Sequence, residues 1–139
     1  MSQGAPQSAG PRVWIVPGCT TTAVVLLHLL PGDDLNAESW WDIWHMDKVL
    51  HISAFAVCGL TWMIALAKQR RLQGAWRLEQ VLLVGTVIFG TVLEVMQGAL
   101  MSGRTFDWMD VAADIAGVGC SLFAFKVIFG RRPGRIAID

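Results

Sequence analysis

Residues 91–110, TVLEVMQGALMSGRTFDWMD, join the end of one long apolar stretch to the start of another. Glu94 and Gln97 stand in the last turns of the first stretch, and an arginine and two aspartates follow within 13 residues of Gln97. Two apolar stretches joined by a short polar link are typical of a pair of consecutive membrane helices. This stretch therefore predicts a helical hairpin with charged groups at its connected end.

The composition of the whole chain agrees with a membrane protein. The chain has 139 residues, of which 54% are apolar and only 16% charged, and its mean hydropathy is +0.50. Backbone groups in lipid must be hydrogen-bonded within their own segment, which favours helices. We therefore predict an all-α, four-helix transmembrane bundle in residues 13–130, between a mobile tail (1–12) and a basic tail (131–139). The predicted spans are 13–30, 47–67, 81–101 and 108–129.

The first span resembles a signal peptide only in its position. Its apolar run is longer than the usual core of about 7–15 residues, and no small-x-small cleavage site precedes Pro31. We therefore expect a retained helix. Cys19, Cys58 and Cys120 each fall inside a predicted span and are odd in number, so no disulfide framework is predicted.

The distribution of Lys and Arg predicts the orientation. The link between the second and third spans and the C-terminal tail are basic, whereas the two other links carry Asp33, Asp34, Glu38 and Asp42 and one basic residue, Arg104. By the positive-inside rule both termini are cytoplasmic and the acidic links face outward. The formal net charge of zero hides this asymmetry and gives no support to nucleic-acid binding.

The first outer link contains NAESWWDIWHMD, residues 36–47, which predicts a short interfacial helix capped by Asn36. Its tryptophans would join an outer aromatic belt with Trp108. In the fourth span, Ala113, Gly117 and Ser121 form a small-residue stripe that predicts close packing near the centre of the bundle. Gly85 and Gly90 are expected to relieve crowding on the third helix.

Polar residues recur at one depth, in the outer halves of three predicted helices. Their spacings of three and four place each helix's polar groups on one face. Ionisable groups in a span are costly and normally face the protein interior or a wet cavity. The predicted site is an outward-facing polar pocket formed by Asp47, Lys48, His51, Glu94, Gln97, Arg104, Asp107, Asp110 and Asp114.

Three blocks carry a resemblance to a known family. DKVLHISAFAVCGL (47–60), EVMQ (94–97) and GRTFDWMDVAADIAG (103–117) resemble, in order and spacing, the signature blocks of the VanZ-like family of small bacterial membrane proteins. The resemblance implies a bacterial inner-membrane location, and it implies that the motif positions are those of the pocket. Asp114 stands where the family usually has asparagine. The family name comes from a protein associated with low-level teicoplanin resistance, which suggests a role in the cell envelope.

Several functions remain open at this point. The pocket would bind a membrane lipid or a lipid-linked cell-wall precursor, with Lys48 and Arg104 holding a phosphate or carboxylate. In a catalytic version, His51 is a general acid or base oriented by Asp47. No nucleophile elbow, metalloprotease motif or phosphate loop occurs, which disfavours the common enzyme classes.

Three alternatives do not involve such a ligand. The cluster would be a structural network, with pairs such as Lys48 with Glu94; or the chain would be an accessory subunit of a larger membrane complex. A divalent ion on His51 and three carboxylates is conceivable, but the spacing matches no named motif, so neither a metal nor a cofactor is predicted. His28 would extend the pocket or act as an interfacial hydrogen-bonding group.

Overall fold

The described part of the chain is almost entirely helical. A computed structural model describes residues 10–29, 46–69, 75–100 and 105–129, with the backbone alone at 69 and 75–78. A 3-10 turn, Pro11–Trp14, is followed by α1 (Ile15–His28), α2 (Met46–Gln69), α3 (Ala75–Leu100) and α4 (Trp108–Phe129). No strand occurs in these ranges. The predicted all-α class is confirmed.

Within the described ranges, three helices are long and apolar enough to cross a membrane, namely the segments Met46–Lys68, Glu79–Leu100 and Trp108–Phe129. Each meets the requirement of roughly 20 apolar residues for a span. Large aliphatic side chains on their outer faces, such as Val57 and Ile88, are exposed. Exposed apolar surface of this extent is expected of a protein that is surrounded by lipid.

The first helix is shorter than its predicted span. α1 has 14 residues, and the 3-10 turn before it adds 4. With rises of about 1.5 and 2.0 Å per residue, the combined run is roughly 29 Å long, close to the hydrocarbon thickness of about 30 Å. The turn begins at Pro11, inside the predicted tail, because proline is favoured in a first helical turn. The number of membrane passes stays a prediction.

The other boundaries differ from the predicted ones mainly at α3. This helix begins at Ala75 rather than at 81, so Arg77 and Glu79 belong to the helix and not to the preceding link. Hydropathy marks only the apolar part of a helix, whereas arginine, glutamate and glutamine are themselves good helix formers. α4 has the predicted bounds at both ends.

Helix α4 packs most extensively on α2 and next on α3, as its small residues predicted. Ala113, Gly117 and Ser121 are buried. A Cβ atom on Gly117 would lie 2.9 Å from Cβ of Phe55 on α2, so the glycine permits the close approach of the two helices. Below the polar end, the interior is filled by apolar side chains that include Val24, Phe55, Cys58, Leu93 and Val118.

The two glycines of α3 have different surroundings. Gly90 faces the Asp114 side chain of α4, with no room for a Cβ atom, so its predicted role is confirmed. The prediction for Gly85 is wrong: a Cβ atom there would meet nothing within 4 Å. Gly85 instead lines an apolar cleft between α2 and α3, which make little contact with each other.

Several predicted features lie outside the described residues. They are most of the predicted interfacial helix (36–45), the tail residues 1–9, the basic tail (131–139) and Arg104. The interfacial helix, the two tails and the site role of Arg104 therefore stay predictions.

Candidate functional site

Consecutive helices run in opposite directions, so the end of α1, the start of α2, the end of α3 and the start of α4 meet at one end of the bundle. Eight of the nine predicted site residues lie there, and Arg104 is the one outside the described residues. His28, at the end of α1, joins them through its contacts with His51 and Gln97. We call this set the polar cluster: His28, Asp47, Lys48, His51, Glu94, Gln97, Asp107, Asp110 and Asp114.

Lys48 is surrounded by three aspartates. Its Nζ atom lies 3.0 Å from Oδ2 of Asp47 and 2.7 Å from Oδ2 of Asp107, and it also donates a hydrogen bond to Oδ1 of Asp110. These contacts join the start of α2 to the start of α4. The sequence suggested a pair of Lys48 with Glu94, but in the structure Lys48 pairs with these three aspartates instead. Because an ammonium group has three N–H donors, Lys48 has little capacity left for an anionic ligand.

Asp107 connects the link before α4 to two other elements. Its Oδ1 atom accepts the Met109 backbone N–H at 2.7 Å, which caps the start of the helix. Its own backbone N–H points to Oε2 of Glu94 at 3.3 Å. The hydrogen bond from Lys48, with that from Met109, holds the pKa of the Asp107 carboxyl below its ordinary value. Asp107 is therefore an ionised, partly exposed residue at the mouth of the cluster.

The sequence suggested that Asp47 orients His51. In the structure, Asp114 has this role. Nδ1 of His51 lies 2.9 Å from Oδ1 of Asp114, which is completely buried on α4. Nε2 of the same ring lies 3.9 Å from Oδ2 of Asp110, beyond hydrogen-bond distance. Asp114 thus provides the buried carboxylate that contacts the histidine.

His28 belongs to the interior of the cluster and not to an interfacial surface. Its ring contacts the His51 ring edge to face, with centroids 4.5 Å apart, and its Nδ1 atom lies 2.8 Å from the Val24 carbonyl oxygen. The Gln97 amide donates a hydrogen bond of 2.6 Å to the His28 carbonyl oxygen. The sequence offered one signal for this role, namely the position of His28 at the same predicted depth as the other groups.

Three buried polar atoms of the cluster have no hydrogen-bond partner among the residues that the structure describes: Nε2 of His28, Oε1 of Glu94 and Oδ2 of Asp114. Buried polar atoms are nearly always paired in folded proteins, because an unpaired one costs about 1–3 kcal/mol. Further, His28, His51 and Glu94 each offer one potential ligand atom, and these atoms lie within 4.8 Å of one another.

The opposite end of the bundle has a different charge. Arg12 and Lys68 line one small cavity there, and Lys126 lies 4.0 Å from Glu79. At the polar cluster, Lys48 is the one lysine or arginine among the described residues, against five carboxyl groups. The charge asymmetry predicted from the links is therefore also present within the helices.

The apolar cleft between α2 and α3 begins beside the polar cluster. It has a volume of about 340 Å³, and its walls include Phe55, Trp62, Gly85 and Phe89. The Phe55 ring contacts the His28 ring, with centroids 5.8 Å apart, and the Phe89 ring at 5.9 Å. The Phe55 side chain thus contacts both a buried histidine and the cleft.

The fold and site together define an all-helical membrane protein with a buried polar cluster at one end of the bundle. Residues 11–129 match the model of the VanZ/LLP1 family, and the chain belongs to that family. The match covers all four helices and every residue of the polar cluster. No curated protein and no solved structure matches the chain.

Proposed function

We propose that this protein is a four-pass protein of the bacterial cytoplasmic membrane that binds a lipid or a lipid-linked precursor of the cell envelope. The polar part of the ligand would lie at the polar cluster, and its hydrocarbon chain in the cleft between α2 and α3. The observation that carries this proposal is the contact between Phe55, a wall of the cleft, and His28, a member of the cluster. An amphiphilic ligand matches a polar site that adjoins an apolar one.

The number of ionisable groups supports a role beyond holding the helices together. Hydrogen bonds between membrane helices contribute on average about 0.6 kcal/mol, whereas an ionisable group inside a span costs up to a few kcal/mol, most at its centre. Glu94 and Asp114 are fully buried and each retains an unpaired oxygen atom among the described residues. A purely structural network would be expected to satisfy these oxygens.

The charge of the cluster favours a ligand with an amino group. Five carboxyl groups surround the site, and Lys48 is already engaged by three of them. An ammonium group would be attracted to such an excess of carboxylates. Arg104 in the adjacent link remains the predicted contact for a phosphate. The proposed ligand class is therefore an amphiphile that carries both an amino group and a phosphate group.

By the positive-inside rule, the ligand would lie in the outer leaflet. Arg12, Lys68 and Lys126 lie at the end of the bundle opposite to the cluster, as expected if that end is cytoplasmic. A site in the outer leaflet faces the compartment in which the cell wall is assembled. Binding there would link the protein to envelope stress or to glycopeptide resistance.

The test is purification of the tagged protein in mild detergent at its natural expression level, followed by mass spectrometry of the bound lipids and proteins. Gly85→Leu would fill the cleft, and it is expected to reduce the retained lipid several-fold. Gly119→Leu is the matched control, because Gly119 on α4 also has open space around it but does not line the cleft. Equal lipid retention in both variants would contradict the proposal.

An accessory subunit of a larger membrane complex is the second candidate. It is favoured by the limited contact between α2 and α3, which leaves an apolar face that a partner helix would also cover. Stoichiometric copurification of other membrane proteins, lost in Gly85→Leu and kept in Gly119→Leu, would support this candidate over lipid binding.

A further inference from the structure

We propose that His28, His51 and Glu94 form a binding site for a divalent transition-metal ion of the zinc class. The three residues come from α1, α2 and α3, and their potential ligand atoms lie within 4.8 Å of one another. They are separated by many residues in the sequence, so no spacing motif reveals them. Each is nearly inaccessible to solvent, with exposures of 4%, 7% and 1% respectively.

The two imidazole rings are held in the orientation that a metal site requires. A carbonyl oxygen only accepts hydrogen bonds, so His28 Nδ1, 2.8 Å from the Val24 carbonyl oxygen, is the protonated nitrogen. His51 Nδ1 lies in the same way 2.9 Å from the Asp114 carboxylate. In a neutral ring this leaves the lone pair on Nε2. Histidine ligands commonly donate their other N–H to a carboxylate or a backbone carbonyl.

Two of the atoms available to bind the ion lack other partners. Nε2 of His28 and Oε1 of Glu94 have no hydrogen-bond partner within the described ranges, although both are buried. Nε2 of His51 lies 3.9 Å from its neighbour Asp110, too far for a hydrogen bond. Coordination of a metal ion would use all three atoms and remove the cost of leaving buried polar atoms unpaired.

The chemical types of the three ligand atoms and the distances between them indicate the kind of ion. Two imidazole nitrogens and one carboxylate oxygen suit zinc and neighbouring transition metals better than calcium or magnesium. In tetrahedral zinc sites with bonds near 2.1 Å, ligand atoms are roughly 3.4 Å apart. The potential ligand atoms here are up to 4.8 Å apart, so the distances between them must shorten by up to about 1.4 Å when the ion binds. Three protein ligands also leave a coordination position for another group.

The metal site shares Glu94 with the polar cluster of the proposed function, and it is tested separately. Detergent-purified full-length protein without a polyhistidine tag is treated with a chelator, dialysed against Zn²⁺ alone and analysed for bound metal. About one Zn²⁺ per chain is expected. Glu94→Gln and His28→Gln should each weaken binding more than about 100-fold, and Asp114→Asn, which removes only the orienting carboxylate, about 10–100-fold.

Glu79→Gln is the matched control, because it alters a partly buried glutamate at the other end of the same helix and should leave Zn²⁺ binding unchanged. X-ray absorption of the zinc-loaded wild-type protein does not depend on the folding of any variant. Scattering from two imidazole rings is the expected result. Absence of stoichiometric Zn²⁺, or a bound ion without imidazole ligands, would overturn the proposal. Zinc binding without lipid retention would refute the proposed function alone.

Discussion

Nδ1 of His51 on α2 lies 2.9 Å from Oδ1 of Asp114 on α4, and the other oxygen of that carboxylate occupies the space beside Gly90 on α3. Three helices therefore meet at one buried carboxylate. The histidine orientation depends on the position of Asp114, which in turn depends on the absence of a side chain at residue 90. Helix packing and the orientation of His51 are therefore coupled, and adding one methyl group at residue 90 tests this coupling.

Gly90→Ala is expected to destabilise the protein. The added Cβ atom would overlap Oδ2 of Asp114 and lie 3.4 Å from its Cγ atom, so the carboxylate that contacts His51 must shift. Overpacking of this kind costs about 1–3 kcal/mol. The free energy of unfolding is measured by titration with a denaturing detergent, with tryptophan fluorescence as the signal.

Gly85→Ala is the control for this substitution. Residue 85 lies on the same helix, but a Cβ atom there meets nothing within 4 Å. Replacing a helical glycine by alanine at such a site should be neutral or stabilise by up to about 1 kcal/mol. Equal effects of the two alanines would mean that Gly90 does not control the position of Asp114.

Lys48→Met is expected to destabilise the polar end of the bundle. Three aspartates lie around the Lys48 ammonium, and the most buried of them, Asp110, would be left with an uncompensated charge. Removal of one partner from such a pair costs about 1–3 kcal/mol at partly exposed positions. The same detergent titration measures the loss.

Lys126→Met is the matched change at the opposite end. Its ammonium is half-exposed, and among the described residues its one carboxylate neighbour is Glu79, at 4.0 Å. A pair of this kind contributes at most about 1 kcal/mol. If Lys126→Met were as costly as Lys48→Met, the proposed role of Lys48 as the common partner of three aspartates would be wrong.

Gly117→Ala should separate α4 from α2. A Cβ atom at residue 117 would lie 2.9 Å from Cβ of Phe55 and would contact the backbone of α2. The backbone of a packed helix cannot give way as a side chain can, so we expect a loss of about 1–3 kcal/mol. Gly119→Ala, two residues further along the same helix, has open space and should be nearly neutral. A neutral Gly117→Ala would contradict the packing of these two helices.

The membrane orientation is testable with single cysteines. Thr105 and Lys68 are exposed residues near the cluster end and the opposite end respectively. With the native cysteines Cys19, Cys58 and Cys120 replaced by alanine, Thr105→Cys should react with a membrane-impermeant maleimide in intact cells. Lys68→Cys should react only after permeabilisation, because the basic end is predicted to be cytoplasmic. The reverse pattern would place the polar cluster on the cytoplasmic side.

Local patterns of the sequence were enough to predict the helices. The bounds of α4 follow from its apolar run, and its close packing near the centre of the bundle follows from the small residues Ala113, Gly117 and Ser121. Both inferences need only hydropathy, helical period and side-chain size. The start of α3 could not be predicted in this way, because its first turns are polar and still helical.

The presence of the polar cluster was also predictable from the sequence, because antiparallel helices bring groups of the same depth to the same end. The pairings within it were not. Spacing on one helix suggested that Asp47 orients His51, whereas the structure gives that role to Asp114 on another helix. Rotation of each helix about its axis, which hydropathy does not fix, selects the actual partner.

The sequence by itself thus determined an all-helical membrane protein with its ionisable groups gathered at one end, since burial of apolar residues and the helical repeat are local properties. The proximity of His28 to His51 and Glu94, and the cleft beside Phe55, were decided only by the tertiary structure. These features arise where three or four helices approach one another. Their geometry depends on distances between residues far apart in the chain, which no local pattern encodes.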